Sequence, residues 1–308
     1  MFPTLPSPPN APLERLHLPW LKQAGIEVAV LRLDLIDPLI SGNKWFKLTH
    51  HLTAAAEAGA EGVISLGGAH SNHLHALAAA GKRFGFSTVG LLRGHALDTP
   101  TVSDLIAFGM QLHWLGYAGY RERHAPDFWL PWQERYPHLH PIPEGGGGLA
   151  GALGCAVLLA QVQEQIGLLG WPDYHAWWLA AGTGTTLAGL VLAEKGAHPV
   201  YGALAVPDDH GVAENVMAIL GPNTSDPAYP LIDASRGGFA KIDARLLDFI
   251  AASEAESGLP LEPLYTGKAL LALHDQVAEG LFPSGTRLVF VHTGGLQGRR
   301  ALLAKAAR

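Results

Sequence analysis

Ser41-Gly42-Asn43-Lys44-Trp45-Phe46-Lys47 sets one lysine between a Ser-Gly-Asn turn and an aromatic pair, with a second lysine three residues on. Small flanks on one side and large apolar ones on the other desolvate the Lys44 amine, which lowers its pKa and frees it to attack a carbonyl. Upstream, residues 26–34 alternate enough to read as a strand, and Asp37-Pro38-Leu39-Ile40-Ser41-Gly42 breaks it. The lysine therefore opens a predicted helix over residues 45–58, which puts Lys44 and Lys47 about one turn apart on one face. Cations that close repel, so the pair makes chemical sense with an anion between them or with one amine joined to a carbonyl. A helix start with two exposed lysines is the plainer alternative.

Four later stretches bear on that choice. Gly62-Val63-Ile64-Ser65-Leu66-Gly67-Gly68 reads as a buried strand entering a glycine turn, followed by Ser71-Asn72-His73 at the start of an alanine-rich helix. Such a helix start offers N–H groups and short side chains to a carboxylate, and simple N-capping by Ser71 or Asn72 is the competing explanation. His70, His73 and His75 lack a neighbouring carboxylate or cysteine, so no metal is expected there. Strand 176–181 turns through Gly182-Thr183-Gly184-Thr185-Thr186 into a helix, which gathers amides, hydroxyls and a helix dipole around one anion, as a phosphate monoester requires. No Gly-Lys-Ser/Thr follows and the dinucleotide glycine spacing is absent. Tyr265-Thr266-Gly267-Lys268 precedes a helix, and the strand Leu288-Val289-Phe290-Val291 ends in His292-Thr293-Gly294-Gly295.

Between these, strands 86–94 and 200–206 alternate with helices 101–108 and 152–166, the pattern of parallel sheets. Residues 120–141 read as a linker, and Gly145 to Gly148 as a hinge or a close backbone approach. The 308 residues suffice for two lobes, and a charge of -6 argues against a nucleic-acid or anionic-membrane surface. No signal peptide or membrane-spanning apolar run is evident, so a cytoplasmic protein is expected. The single cysteine, Cys155, has small apolar neighbours and reads as a buried thiol.

Taken together, Gly42 to Lys47, Ser71-Asn72-His73, Gly182 to Thr186, Tyr265 to Lys268 and His292 to Gly295 resemble the pyridoxal-phosphate enzymes of the tryptophan synthase β-like fold (fold type II). The nearest branch holds 1-aminocyclopropane-1-carboxylate deaminase and D-cysteine desulfhydrase. The resemblance implies an α/β fold of two lobes, each a mostly parallel sheet flanked by helices: residues 1–48 with 150–308 as the large cofactor lobe, 49–149 as the small one. It makes Lys44 the Schiff-base lysine, Lys47 a second cation near the cofactor phosphate, and Gly182, Thr183, Gly184, Thr185 and Thr186 the phosphate loop. Asn72 would hold the ring hydroxyl oxygen and Thr266 would face the pyridine nitrogen. The substrate side would be Ser71, Asn72, His73, Tyr265 and Phe239, with Ser71 on the carboxylate; Lys44, Ser71 and Tyr265 are the catalytic candidates.

Two departures bear on activity. A carboxylate at the pyridine nitrogen would keep the ring a strong electron sink, which ring opening demands, and threonine cannot do that. Thr266 therefore favours β-elimination of the desulfhydrase kind, as does Phe290, where the deaminases carry tyrosine. Phe239 stands where both branches place a tyrosine, so a hydroxyl is missing from the substrate side. The expectation is a lyase yielding pyruvate, ammonia and, from cysteine, sulfide, acting as a homodimer on a small amino acid. The alternatives are a ring-opening deaminase, a racemase, a nucleotide-dependent dehydrogenase or a non-enzymatic cofactor-binding protein.

Overall fold

A computed structural model describes residues 6–222, 229–238 and 240–300. Its strands are β1 (Leu13–Leu16), β2 (Glu27–Arg32), β3 (Gly62–Gly67), β4 (Ser87–Leu92), β5 (Gln111–Trp114), β6 (Leu139–Pro141), β7 (Ala176–Ala181), β8 (Val200–Leu204), β9 (Leu231–Asp233) and β10 (Arg287–His292). They form a six-stranded sheet in the order β1-β2-β10-β7-β8-β9 and a four-stranded sheet in the order β5-β4-β3-β6. Every pairing between them is parallel except β1 with β2. Both faces of the large sheet are covered, which is why its strands read as unbroken apolar runs. In β7, Trp177 packs into the core on one face while Trp178 packs into the core on the other, and both are fully buried. Their indole N–H groups are satisfied inside the protein: Trp177 donates to Glu194 Oε1 at 2.5 Å and Trp178 to the Ala269 carbonyl at 2.8 Å.

Two expectations need correction. Residues 120–141 are not a linker. Strand β6 pairs with β3, and Tyr120 and Phe128 are buried against Ile64, Leu66, Val89 and Leu91. Its arginines, prolines and tryptophans hid a short amphipathic cover whose aromatic rings seal one face of the small sheet. The helix over 152–166 is two, Gly148–Ala156 and Leu158–Gln165, interrupted at Val157. This region, 144–169, is the one stretch among the described residues long and apolar enough to cross a membrane. Here the Gly148–Ala156 helix packs instead between the helices Asn43–Glu57 and Thr185–Glu194.

The glycine run before it makes a close approach. Gly146 has φ +67°, and a Cβ there would meet Lys47 Cβ at 3.2 Å and the His73 ring at 3.4 Å. A bulkier turn would hold the two elements bearing those side chains apart.

Candidate active site

The C-terminal ends of β3, β4, β6, β7 and β10 converge on one cavity of about 470 Å³, where open parallel sheets bind ligands. Its wall brings together Lys44, Lys47, Ser71, Asn72, His73, Gly182, Thr183, Gly184, Thr185, Thr186 and Tyr265. The helix Asn43–Glu57 carries the two lysines, and its start is fixed by the Asn43 N–H, which donates to the Thr293 carbonyl at 3.2 Å. Lys44 shows part of its surface to the cavity while protein surrounds its amine, and Lys47 is buried. Burial pushes the Lys44 amine well below the ordinary lysine value, and the adjacent Lys47 pushes it further. Lys47 is lowered too, chiefly by burial. Neither has a carboxylate partner among the described residues.

That pair gives a stability prediction with a definite sign. Lysine is protonated in the unfolded chain below its ordinary value, whereas the folded pKa of Lys47 is depressed. The unfolded state therefore binds more protons between the folded value and 10.5, and stability rises with pH across that window. Lys47→Met should raise the stability of the cofactor-free protein at neutral pH by about 1–3 kcal/mol and flatten that rise. Urea unfolding at neutral and alkaline pH measures both.

Facing the lysines, the helix Thr185–Glu194 begins after Gly184 at φ +74°, and no side chain caps it. The Thr183 and Thr185 hydroxyls lie 3.0 Å apart. Asn43 Nδ2 donates to Thr186 Oγ1 at 2.8 Å, tying this turn to the lysine-bearing helix. Cys155 is fully buried beneath, its Sγ 3.8 Å from Thr186 Oγ1, and burial pushes its thiol up. Uncapped amides, paired hydroxyls and a nearby buried cation make a site for a compact anion.

Ser71 caps the helix Asn72–Phe84, its Oγ accepting from the Leu74 N–H at 3.1 Å, so the capping explanation holds for it. Asn72 Oδ1 accepts from Gln297 at 2.9 Å. His73 lines the wall with one ring nitrogen engaged inside the protein. Ser65 donates its hydroxyl proton to the Ile142 carbonyl at 2.8 Å and so accepts from His73 Nε2–H, also at 2.8 Å. Burial, then Lys44, holds the ring well below the ordinary histidine value, and Nδ1 is buried with no hydrogen-bond partner. A neutral ring presenting an acceptor is unsuited to a carboxylate. The other histidines do not join it: His75 Nε2 lies 3.1 Å from Asp104, and no group of three metal-binding side chains occurs among the described residues.

Tyr265 lies against Gly182, where a Cβ would stand 2.9 Å from Tyr265 Cε1, while Thr266 is fully buried and off the cavity wall. The reason is Glu262, which the sequence reading passed over. Its buried carboxylate accepts from the amides of Leu264, Tyr265 and Thr266 at 2.8, 2.7 and 2.6 Å, starting the helix Thr266–Ala278. Thr266 Oγ1 in turn accepts from the Glu262 N–H at 3.0 Å. Phe239 lies outside the described residues. Arg93, Tyr117, Tyr120 and Glu144 complete the wall and were also missed. Arg93 and Glu144 stand just past β4 and β6, so the rule of strand ends was the signal that finds them.

An amine whose pKa burial lowers, opposite an uncapped helix start and beside a second buried lysine, is an arrangement suited to a phosphorylated aldehyde. Residues 6–294 match the family model described as pyridoxal-phosphate dependent enzyme, and the chain belongs to that family. It is 28% identical over 316 residues to the mitochondrial bifunctional D-cysteine desulfhydrase/1-aminocyclopropane-1-carboxylate deaminase of Arabidopsis thaliana, covering 93% of this chain and 76% of the relative. It is 25% identical over 305 residues to the D-cysteine desulfhydrase of Serratia proteamaculans, covering 92% and 91%. A crystal structure of an ACC deaminase homologue superposes with a TM-score of 0.82 at 26% identity, covering 99% of this chain and 96% of that one. The fold is tryptophan synthase β-like and the cofactor is pyridoxal phosphate.

Proposed function

We propose that the protein is a pyridoxal-phosphate lyase that eliminates the β-substituent of a small amino acid, in the manner of D-cysteine desulfhydrase. The observation that carries this reading is the Lys44–Lys47 pair, two amines without carboxylate partners beside an uncapped helix start. Lys44 would hold the cofactor aldehyde. Lys47, with the amides and hydroxyls of Gly182 to Thr186, would hold its phosphate. Asn72 would meet the ring hydroxyl oxygen. When bound, the cofactor supplies an electron sink for the pair left on Cα.

The chain's own groups do the rest. Amides at the start of the Asn72–Phe84 helix orient the substrate carboxylate beside Ser71. Lys44, its pKa lowered by burial, accepts the Cα proton, and Tyr265 bounds the substrate side. Glu262, the carboxylate of the Tyr265–Thr266 segment, is consumed by three backbone amides and lies off the wall. That leaves no free carboxylate in this segment to keep the pyridine nitrogen protonated and favours departure of a good leaving group over opening a cyclopropane. We further propose lobes 1–48 with 150–308 and 49–149, a cytoplasmic location and a homodimer.

The holoenzyme given D-cysteine should release sulfide, pyruvate and ammonium in equal amounts, and should give little 2-oxobutanoate from 1-aminocyclopropane-1-carboxylate. The reverse preference would make it a ring-opening deaminase. Turnover of neither, nor of any other D- or L-amino acid, would end the lyase reading.

A further inference from the structure

Resting on that reading, we infer that Arg93 selects substrates whose β-substituent ends in an oxyanion, a carboxylate, sulfonate or phosphate, so that the preferred amino acid is anionic beyond its own carboxylate. Arg93 follows directly on β4, and its N–H donates to the Gly67 carbonyl at 3.0 Å. That bond sets it beside the Gly67-Gly68 turn that leads to the Ser71 helix start, so it flanks the region assigned to the substrate carboxylate. Its guanidinium carbon stands 5.7 Å from the centroid of the Tyr117 ring, a cation–π contact that holds the fork on the cavity wall.

Nine other arginines among the described residues pair with carboxylates. Among the described residues Arg93, exposed on the cavity wall, has no such partner, and neither do Arg121 and Arg135. The one carboxylate sharing that wall, Glu144, is engaged elsewhere: Tyr120 donates to Oε1 at 2.5 Å and Arg123 to Oε2 at 2.7 Å. There is also room for a group larger than a thiol. Past Arg93, Tyr117 and Tyr120 the cavity shares its wall with a second chamber of about 910 Å³, whose lining adds Arg121, Arg123, His124 and Glu214. A planar fork at that passage matches an oxyanion in two-point contact.

For O-phosphoserine the reaction balances without an added reagent. The Cα–H proton passes to Lys44, the Cβ–O bond breaks with its electron pair leaving on phosphate, and water hydrolyses the enamine so released to pyruvate and ammonium.

The test compares holoenzyme with Arg93→Met and Arg93→Lys, using O-phosphoserine and the neutral 3-chloroalanine as D and L forms. Arg93→Met should lower kcat/KM for O-phosphoserine about 10- to 100-fold and leave 3-chloroalanine within about twofold, with Arg93→Lys intermediate because charge remains and the fork is lost. A second readout needs no turnover: titration calorimetry should show succinate binding more tightly than butyrate, and Arg93→Met should abolish the difference. Equal losses for both substrates, or succinate binding unchanged in Arg93→Met, would overturn the assignment. If 3-chloroalanine is consumed while these arms fail, the lyase reading survives and only the role of Arg93 falls. If no amino acid is consumed, the succinate comparison alone decides for or against Arg93.

Discussion

Lys44→Ala should lower turnover of every amino-acid substrate by about three orders of magnitude or more, the scale reached when the group that serves as both nucleophile and base is removed. The size of the effect follows from the amine's surroundings. Burial and Lys47 lower its pKa, which favours the neutral form that attacks a carbonyl and accepts a proton. Water in the same cavity is a far weaker base, and the adjacent Lys47, one helical turn on, is assigned to the phosphate. The variant should still fold, because it deletes a group whose burial opposes folding. Its cofactor-dependent visible absorbance should shift, and a small primary amine added to the assay should restore part of the activity. Activity above about 1% of the parent without added amine would refute the assignment.

Gly42→Ala should be the most damaging single methyl group in the protein. Gly42 has φ 69° and ψ -154°, a region only glycine occupies at ease, and a Cβ there would stand 2.0 Å from the Thr293 carbonyl oxygen and 2.8 Å from its carbon. Both obstructing atoms are backbone, so no rotamer change relieves them. The expected loss is about 3–5 kcal/mol, read as a lowered urea midpoint, together with a fall in activity because Lys44 is two residues away. Gly59→Ala is the matched control: φ there is +68° but nothing lies within 4 Å of the added carbon. It should cost only about 1 kcal/mol. Equal effects at the two sites would show that backbone conformation alone, not the Thr293 contact, governs both.

Much of this was legible in the chain, because local chemistry and final geometry agree along it. The strand-turn-helix runs at Gly67 and Gly182 announce themselves through glycines and small hydroxyl residues, which suit a turn where backbone approaches a ligand, while at Ser71 the hydroxyl also caps the helix. The opposite wall was opaque for a physical reason. Arg93, Tyr120 and Glu144 come from three separated segments: the parallel order β4-β3-β6 brings the strand ends before Arg93 and Glu144 together, and Tyr120 arrives on the helix Gly116–Arg121 after β5. The tautomer of His73 was equally hidden, since it depends on Ser65 and Ile142, the latter far along the chain. The setting of Thr266 was hidden as well, because the Glu-Pro-Leu-Tyr-Thr run conceals a capping carboxylate four residues upstream.

Strand β10, the last of the ten to be synthesised, lies between β2 and β7. A nascent chain on the ribosome therefore carries two unjoined fragments of the large sheet until residues 287–292 have emerged, and the carbonyl of Thr293 that seats the Asn43–Glu57 helix comes later still. The small sheet, complete by residue 141, faces no such delay. Translation that stops shortly before β10 thus yields most of the polypeptide yet none of the assembled cavity, and holds apolar sheet edges open to chaperones or to other chains.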